Sequence, residues 1–362
     1  MSKILFIAMN LNSGGAERQT VSIAKALKTS GHEVHVICYS YGNFYQQDLE
    51  KAGVKVIWTI ENNYLLRLLK FRKHIRNGGY NCVISLLVTP NIINLISAIG
   101  GRSWKVVIGE RSAKSSFFNS IKGYITKNLI KYADYLVCNS QNALNLWEEF
   151  VPRYSYKLEC IYNLINDIKV DIVYAPLRYD RVNIVVAASY QPLKNMSRLI
   201  LAVANLTTEE RERLHIDWYG QTSVANYGTK PYDAAQLLIQ EKNLMNVISL
   251  NPSVKNIYEY MYQADAIALV SEVEGLPNVI CEALMLGKPI IMSNVSDYKV
   301  LVGNGNGFVC KYDDVDSITR AFRSLIYLSQ EELIHKGKLS REVYESTFSN
   351  KVILENWLKL IL

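Results

Sequence analysis

Hydrophobic positions along this 362-residue chain fall into two alternating patterns. Short, nearly continuous apolar runs occur at Lys3–Met9, His32–Cys38, Cys82–Leu87, Lys105–Gly109, Ala133–Cys138, Asn183–Ala188, His215–Gly220, Val247–Pro252, Ala266–Val270 and Pro289–Met292. Runs of this length predict buried parallel strands. Between them, apolar residues recur at helical spacing. Val21, Ile23, Ala24, Ala26 and Leu27 predict a helix over about 16–29, with Gly31 as its stop, while Leu199, Ile200 and Leu206 mark another, and Asn256–Asp265 a third. Strand and helix in alternation predict an α/β fold with parallel sheets. Residues 167–181 lose both periods and contain Pro176, so a linker is expected there, with a fresh strand–helix start at Asn183. The expected organisation is one domain over 1–170, a second over 171–345, and a last helix over 346–362.

Composition narrows the class. Apolar residues make up 49% and charged residues 20%, which supplies two buried cores and excludes a disordered chain. No run reaches the roughly 18 uncharged apolar residues of a spanning helix. The N-terminus reads as a first strand, too short in its apolar part for a secretory leader. Six cysteines are scattered without a Cys-x-x-Cys or Cys/His cluster; buried free thiols in a reducing cytoplasm are expected, and no zinc site. The net charge of +7 is uneven. Residues 64–76 hold five Lys/Arg and no acid, and Arg102–Lys131 holds seven against Glu110 alone, with Phe117, Phe118 and Tyr124 interspersed. The leucines of 64–76 are at the spacing of an ordinary packing face. The one-sided charge suits contact with an anionic membrane surface.

The chemistry concentrates in Ser271–Pro289. A strand precedes it, Pro277 stands where a helix accepts proline at its first position, Gly287 stands where helices stop, and a strand follows. A helix N-terminus at the end of a parallel strand is an anion site. Glu274 lies before this helix and Glu282 inside it, with seven residues between them. A plain account would be a paired, buried Glu282 and a solvated Glu274; a phosphate at the helix end with hydroxyls beside it would instead use both carboxylates. Near the N-terminus, Gly14-Gly15 follow the first strand and let backbone approach a phosphate closely, but Gly-x-Gly-x-x-Gly is missing, which disfavours NAD. Glu110-Arg111-Ser112 ends a strand where ligands gather in open α/β sheets. Asp314-Val315-Asp316 is a formal Asp-x-Asp; directly before a helix, Asp316 reads as its N-cap rather than as a metal ligand.

The phrase Glu-Gly-Leu-Pro-Asn-Val-Ile-Cys-Glu-Ala-Leu-Met-Leu-Gly-Lys-Pro over 274–289 resembles the Glu-x7-Glu element of retaining family-4 glycosyltransferases, as does Gly-Gly-Ala-Glu-Arg over 14–18. The resemblance implies the GT-B fold: two facing Rossmann-like domains with parallel sheets, the C-terminal helix crossing back to the first domain. It implies a hexose or N-acetylhexosamine moved from a nucleotide-sugar, with a UDP-sugar the expected donor, to a lipid-linked or oligosaccharide acceptor. It further implies retention, no metal and no cofactor, in surface polysaccharide biosynthesis (capsule or lipopolysaccharide). The setting would be cytoplasmic, peripheral on the inner face of the plasma membrane, and without nucleic acid. Carried onto this sequence, Lys194 pairs with the donor diphosphate, aided by backbone N–H groups around Leu276 to Val279, in a donor-binding loop that includes Gly275, Pro277 and Asn278. Glu282 takes the ribose hydroxyls, Glu274 the transferred hexose, and Gly14 and Gly15 line the opposite wall. Two departures stand out. Ser189 replaces the family's usual arginine, with Arg18, Arg111 or Arg198 as possible substitutes, and Glu110 or Arg111 stands near the place of a frequent histidine. A sugar-nucleotide epimerase, or a donor-binding protein without turnover, is the alternative.

Overall fold

The computed structural model describes residues 1–111, 115–165 and 181–361. The chain divides into two compact units, Met1–Asp167 with Asn350–Leu362, and Ile168–Ser349. The expected linker over 167–181, including Pro176, lies outside the described residues apart from Arg181, as do the expected boundary at 170/171, Ser112 and Lys114.

The first unit is built on a seven-stranded, all-parallel sheet: β1 (Lys3–Ala8), β2 (Glu33–Cys38), β3 (Lys55–Trp58), β4 (Cys82–Ser85), β5 (Lys105–Glu110), β6 (Tyr135–Cys138) and β7 (Leu158–Cys160), in the order β3-β2-β1-β4-β5-β6-β7. Every strand except the edge strands β3 and β7 is largely buried, which explains why they read as continuous apolar runs. β7, three residues long, carries too little pattern to be seen in the sequence. Helices cover both faces. Val21, Ala24 and Leu27 of the helix Gly15–Thr29 share one core with Ile353 and Trp357 of the final helix, Asn350–Ile361. That final helix therefore belongs to the first unit. The opposite face buries Phe71, Ile75, Ile93, Leu95 and Trp147.

The second unit repeats the plan with six parallel strands: β8 (Val182–Ala187), β9 (Leu214–Gly220), β10 (Ile248–Pro252), β11 (Ala266–Leu269), β12 (Ile290–Ser293) and β13 (Gly307–Cys310), ordered β10-β9-β8-β11-β12-β13. In each sheet two neighbours, β1/β4 and β8/β11, hand the chain off in opposite directions. The crevice at their carboxyl ends is the topological switch point, where open α/β sheets bind ligands.

Two caps differ from expectation. Pro277 is the N-cap of the helix Asn278–Met285, one position earlier than expected. The helix Val315–Ile326 is capped by Asp314, whose carboxylate accepts from the Ser317 N–H at 3.0 Å, and Asp316 lies in its first turn. The helix starts before Ser317, so the cap shifts with it.

Candidate functional site

At the switch point of the second unit, the loops after β8 and β11 are stitched together. Pro192–Lys194 forms a single 3-10 turn, and Asn195 follows in the left-handed region at φ 64°, a conformation asparagine tolerates better than most residues. Its buried amide donates to the carbonyls of Val270 at 2.9 Å and Tyr312 at 2.7 Å. The Glu272 N–H donates to Leu193 O at 2.8 Å. These bonds fix Lys194 opposite Glu274, and Nζ meets Oε1 at 2.5 Å with both side chains mostly buried. Two of the residues singled out in the sequence, eighty positions apart, are thus one ion pair.

Behind it runs the Asn278–Met285 helix. Its first turn closes on the Pro277 carbonyl, which accepts from the Ile280 N–H at 3.0 Å and the Cys281 N–H at 3.3 Å, and the positive end of the helix dipole lies there. Its far end is a Schellman motif: Gly287 at φ 63° bonds back to Leu284 O and Lys288 N–H to Ala283 O. Glycine is required there because the chain must turn left-handed and enter β12 within three residues. Glu282 is buried at 6% exposure and its Oε1 accepts from the Tyr258 hydroxyl at 3.0 Å. The Gly275 carbonyl is held by the Ser296 hydroxyl. Leu276 and Pro277 are buried, while Asn278 and Val279 are partly exposed at the helix mouth.

Ser189 lies half-buried at the end of the β8 loop and brings no charge. Arg198, one candidate to replace the missing arginine, is engaged elsewhere. Its guanidinium donates to Asn195 Oδ1 at 2.9 Å and to Glu272 at 2.6 Å. Arg198 and Glu272 line a separate cavity of about 600 Å³ with Pro192, Asn195 and Lys230; Lys194, Glu274 and Glu282 are not among its walls. Sequence reasoning missed Asn195 and Tyr258 as parts of the site. The asparagine directly after the lysine was the available signal.

In the first unit Gly14 caps the Gly15–Thr29 helix with extended backbone. A Cβ on Gly15 would meet nothing within 4 Å, whereas one on Gly14 would run into the Glu17 carboxylate, so only Gly15 faces open space. Glu110, nearly buried at the end of β5, accepts from the Arg111 N–H at 2.8 Å. The Arg111 guanidinium lies 6.0 Å from the Trp357 ring and donates Nη1 to Asn163 Oδ1 at 3.1 Å. Its Nε and Nη2 are buried and find no acceptor among the described residues. Burial lowers its pKa to about 10, against opposing attraction from Cys138, Glu110 and Cys160. A buried cation with two idle donors at a strand's carboxyl end is suited to an anion.

Residues 13–168 match the family model described as glycosyltransferase family 4, and residues 176–339 the model described as glycosyl transferases group 1. The chain belongs to the family-4, group 1 glycosyltransferases. Its two parallel-sheet units are those of the GT-B fold.

Among family members with assigned activities, an α-1,4-N-acetyl-D-galactosaminyltransferase of Campylobacter jejuni acting on GalNAc-α-(1→4)-GalNAc-α-(1→3)-diNAcBac-PP-undecaprenol is 27% identical, covering 100% of this chain and 98% of its own length. A second enzyme of that organism, N-acetylgalactosamine-N,N'-diacetylbacillosaminyl-diphospho-undecaprenol 4-alpha-N-acetylgalactosaminyltransferase, is 24% identical and is covered in full, as is this chain. Among solved structures, HepE of Anabaena in complex with UDP superposes with a TM-score of 0.83 at 18% identity, over 99% of this chain and 98% of that one.

Proposed function

We propose that this glycosyltransferase moves a hexose or N-acetylhexosamine from a UDP-sugar to a saccharide carried on a polyisoprenyl diphosphate, with retention of configuration and without metal. The observation that carries the proposal is the Lys194–Glu274 pair at the switch point, with Glu274 in the loop that leads into the N-terminus of the Asn278–Met285 helix. Free of donor, the lysine is neutralised by Glu274. With donor bound, the diphosphate takes over Lys194, and Glu274 is released to accept hydroxyls of the hexose. Leaving-group charge then falls on Lys194 and the helix N–H groups, which perform the electrostatic work otherwise given to a metal ion. Glu282, oriented by Tyr258, accepts the ribose hydroxyls; an ionised carboxylate takes two. Front-face attack, with the departing phosphate assisting deprotonation, needs no histidine base, and none of the five histidines lies near these residues in sequence.

Gly14, Gly15, Glu110 and Arg111 are assigned to the acceptor side, where the idle Arg111 donors would take an anionic group. The acceptor class is supported by what the Campylobacter relatives act on, and the donor class by the UDP bound to HepE. A lipid-linked acceptor places the chain at the cytoplasmic face of a membrane, in surface polysaccharide assembly. Thermal shift with UDP-, GDP- and ADP-sugars, on wild type and Glu282→Ala, tests the donor assignment. A shift with UDP-sugars alone, lost in the variant, supports it. The anomeric configuration of the product, read by NMR, tests retention. Binding without transfer to any lipid-linked acceptor would favour the donor-binding alternative that Ser189 leaves open.

A further inference from the structure

The helix Tyr64–Asn77, N-capped by Asn63, packs Phe71 and Ile75 into the core of the first unit. Leu68 packs against the same core, but the other leucines before them do not follow. Leu65, Leu66 and Leu69 are 69%, 48% and 63% exposed, so of the leucines over 64–76 only Leu68 joins the expected packing face. The helix Ile121–Leu129 repeats the pattern, with Ile121 82% and Tyr124 69% exposed on its first turn. Both helices pack against the largely buried helix Val88–Ser97. The first follows β3 and the second follows β5, so both begin at the carboxyl edge of the parallel sheet, and their uncovered apolar side chains gather at that edge. Tyr41 and Phe44, after β2, are exposed there too.

The charges divide into two groups. Arg72 and Arg76 donate to carbonyls of Ile96, Ser97, Ile99 and Gly100 at the end of the neighbouring helix, and Arg67 donates to Glu61 O and lies over the Tyr39 ring. These arginines hold the fold together. Lys70, Lys73, Lys122 and Lys127 are exposed beside the apolar side chains, Lys70 paired with Glu61, Lys122 3.5 Å from the Thr89 hydroxyl and Lys127 over the Phe150 ring. Between Glu61 and Asp134 the only acid is Glu110, which is nearly buried.

We propose that this edge is a lipid-inserting surface. Leu65, Leu66, Leu69, Ile121 and Tyr124 enter the acyl boundary of an anionic bilayer, and Lys70, Lys73, Lys122 and Lys127 meet its phosphates. Among the described residues no helix is long and apolar enough to cross a membrane, so the contact is interfacial. The charge complementarity selects an anionic bilayer over a neutral partner, and the leucines give it a part that salt does not screen. The inference rests on the proposed lipid-linked acceptor for its purpose and on exposure and charge for its geometry.

Flotation of the full chain with vesicles of equal parts phosphatidylglycerol and phosphatidylcholine tests it, with pure phosphatidylcholine alongside. Wild type should float with the anionic vesicles and retain a fraction at high salt. Leu65→Ser/Leu66→Ser/Leu69→Ser should weaken partition by about tenfold or more. Lys→Gln at positions 70, 73, 122 and 127 should remove the preference for anionic lipid. The UDP-sugar thermal shift should persist in every variant, so loss of flotation with that shift intact concerns this surface, and loss of the shift in wild type concerns the donor assignment. Wild type remaining unbound to both vesicles overturns the proposal, as does flotation of the triple leucine variant equal to wild type. So does a variant whose sole change is conversion of a dimer to a monomer by light scattering, which would give the patch to a second copy of the chain.

Discussion

Tyr258 donates its hydroxyl to Oε1 of Glu282 at 3.0 Å, from the helix that precedes β11 to the helix that follows it. The carboxylate is thereby fixed in direction, and its reach toward a ribose depends on a residue that need not itself touch the donor. Tyr258→Phe should raise the donor KM by roughly tenfold, the low end of what one hydrogen bond to a charged acceptor is worth, with kcat nearly unchanged. Glu282→Gln should raise KM further. Steady-state kinetics at varied UDP-sugar decides it; an effect of Tyr258→Phe on kcat alone would remove the positioning role.

The 2.5 Å bond between Lys194 and Glu274 predicts an exchange of partners on donor binding. Singly substituted Lys194→Met and Glu274→Gln should each lower kcat/KM by about 10²–10³-fold. In the donor-free protein the two should couple in stability by about 1 kcal/mol in a double-mutant cycle. Saturating UDP should shrink that coupling, since its phosphates occupy the lysine. Urea melts of the four proteins with and without UDP measure it. Coupling unaffected by UDP would mean that the pair is structural.

Much of this half of the site was legible because its signals are local. The apolar runs at Ala266–Val270 and Pro289–Met292, the proline and the glycine bracket one helix, and only a narrow set of geometries joins them. What stayed hidden depends on distant partners. Leu65, Leu66 and Leu69 have the spacing of a packing face, yet they stand exposed while Leu68, Phe71 and Ile75 take the core side of the helix. Five Lys/Arg over 64–76 looked like one basic surface, but Arg72 and Arg76 are spent on carbonyls. Arg198 was a candidate for the missing phosphate arginine until Glu272, 74 positions away, was found to hold it. Periodicity reports that a face exists and leaves open what covers it.

Arg111 combines a buried guanidinium, a pKa lowered to about 10 and two donors without acceptors among the described residues. At neutral pH the cation is retained at a cost to the folded state. Because the folded pKa lies below the ordinary one, that cost is fully present below about pH 10 and is relieved only above it. Arg111→Met should therefore leave stability unchanged or raise it by about 1–2 kcal/mol while transfer to a lipid-linked acceptor falls. Thermal melts at pH 7.5 (roughly neutral, well below the folded pKa) and transfer assays test both parts. A destabilised variant would assign Arg111 a purely structural role.

Lys288, directly after the glycine that stops the Glu282 helix, is 3% exposed, and burial lowers its pKa from 10.5 to about 8. Asp265 opposes the shift, and the Tyr262 ring lies 5.4 Å from Nζ. Between about pH 8 and 10.5 the unfolded chain binds more protons at this site than the folded chain, so folded stability rises with pH across that window; below 8 the penalty is complete. The span corresponds to on the order of 3 kcal/mol. Lys288→Met removes the titrating group, and the stability of wild type relative to this variant should climb as pH rises from 8 toward 10.5 and stay flat from 6 to 7.5, below the folded pKa (roughly, within about a unit). Urea denaturation of both proteins across this range measures the difference directly, and other high-pH titrations cancel between them. A difference that is flat throughout would mean that the Lys288 ammonium is stabilised as well in the folded chain as in water, with Asp265 and Tyr262 compensating its burial in full.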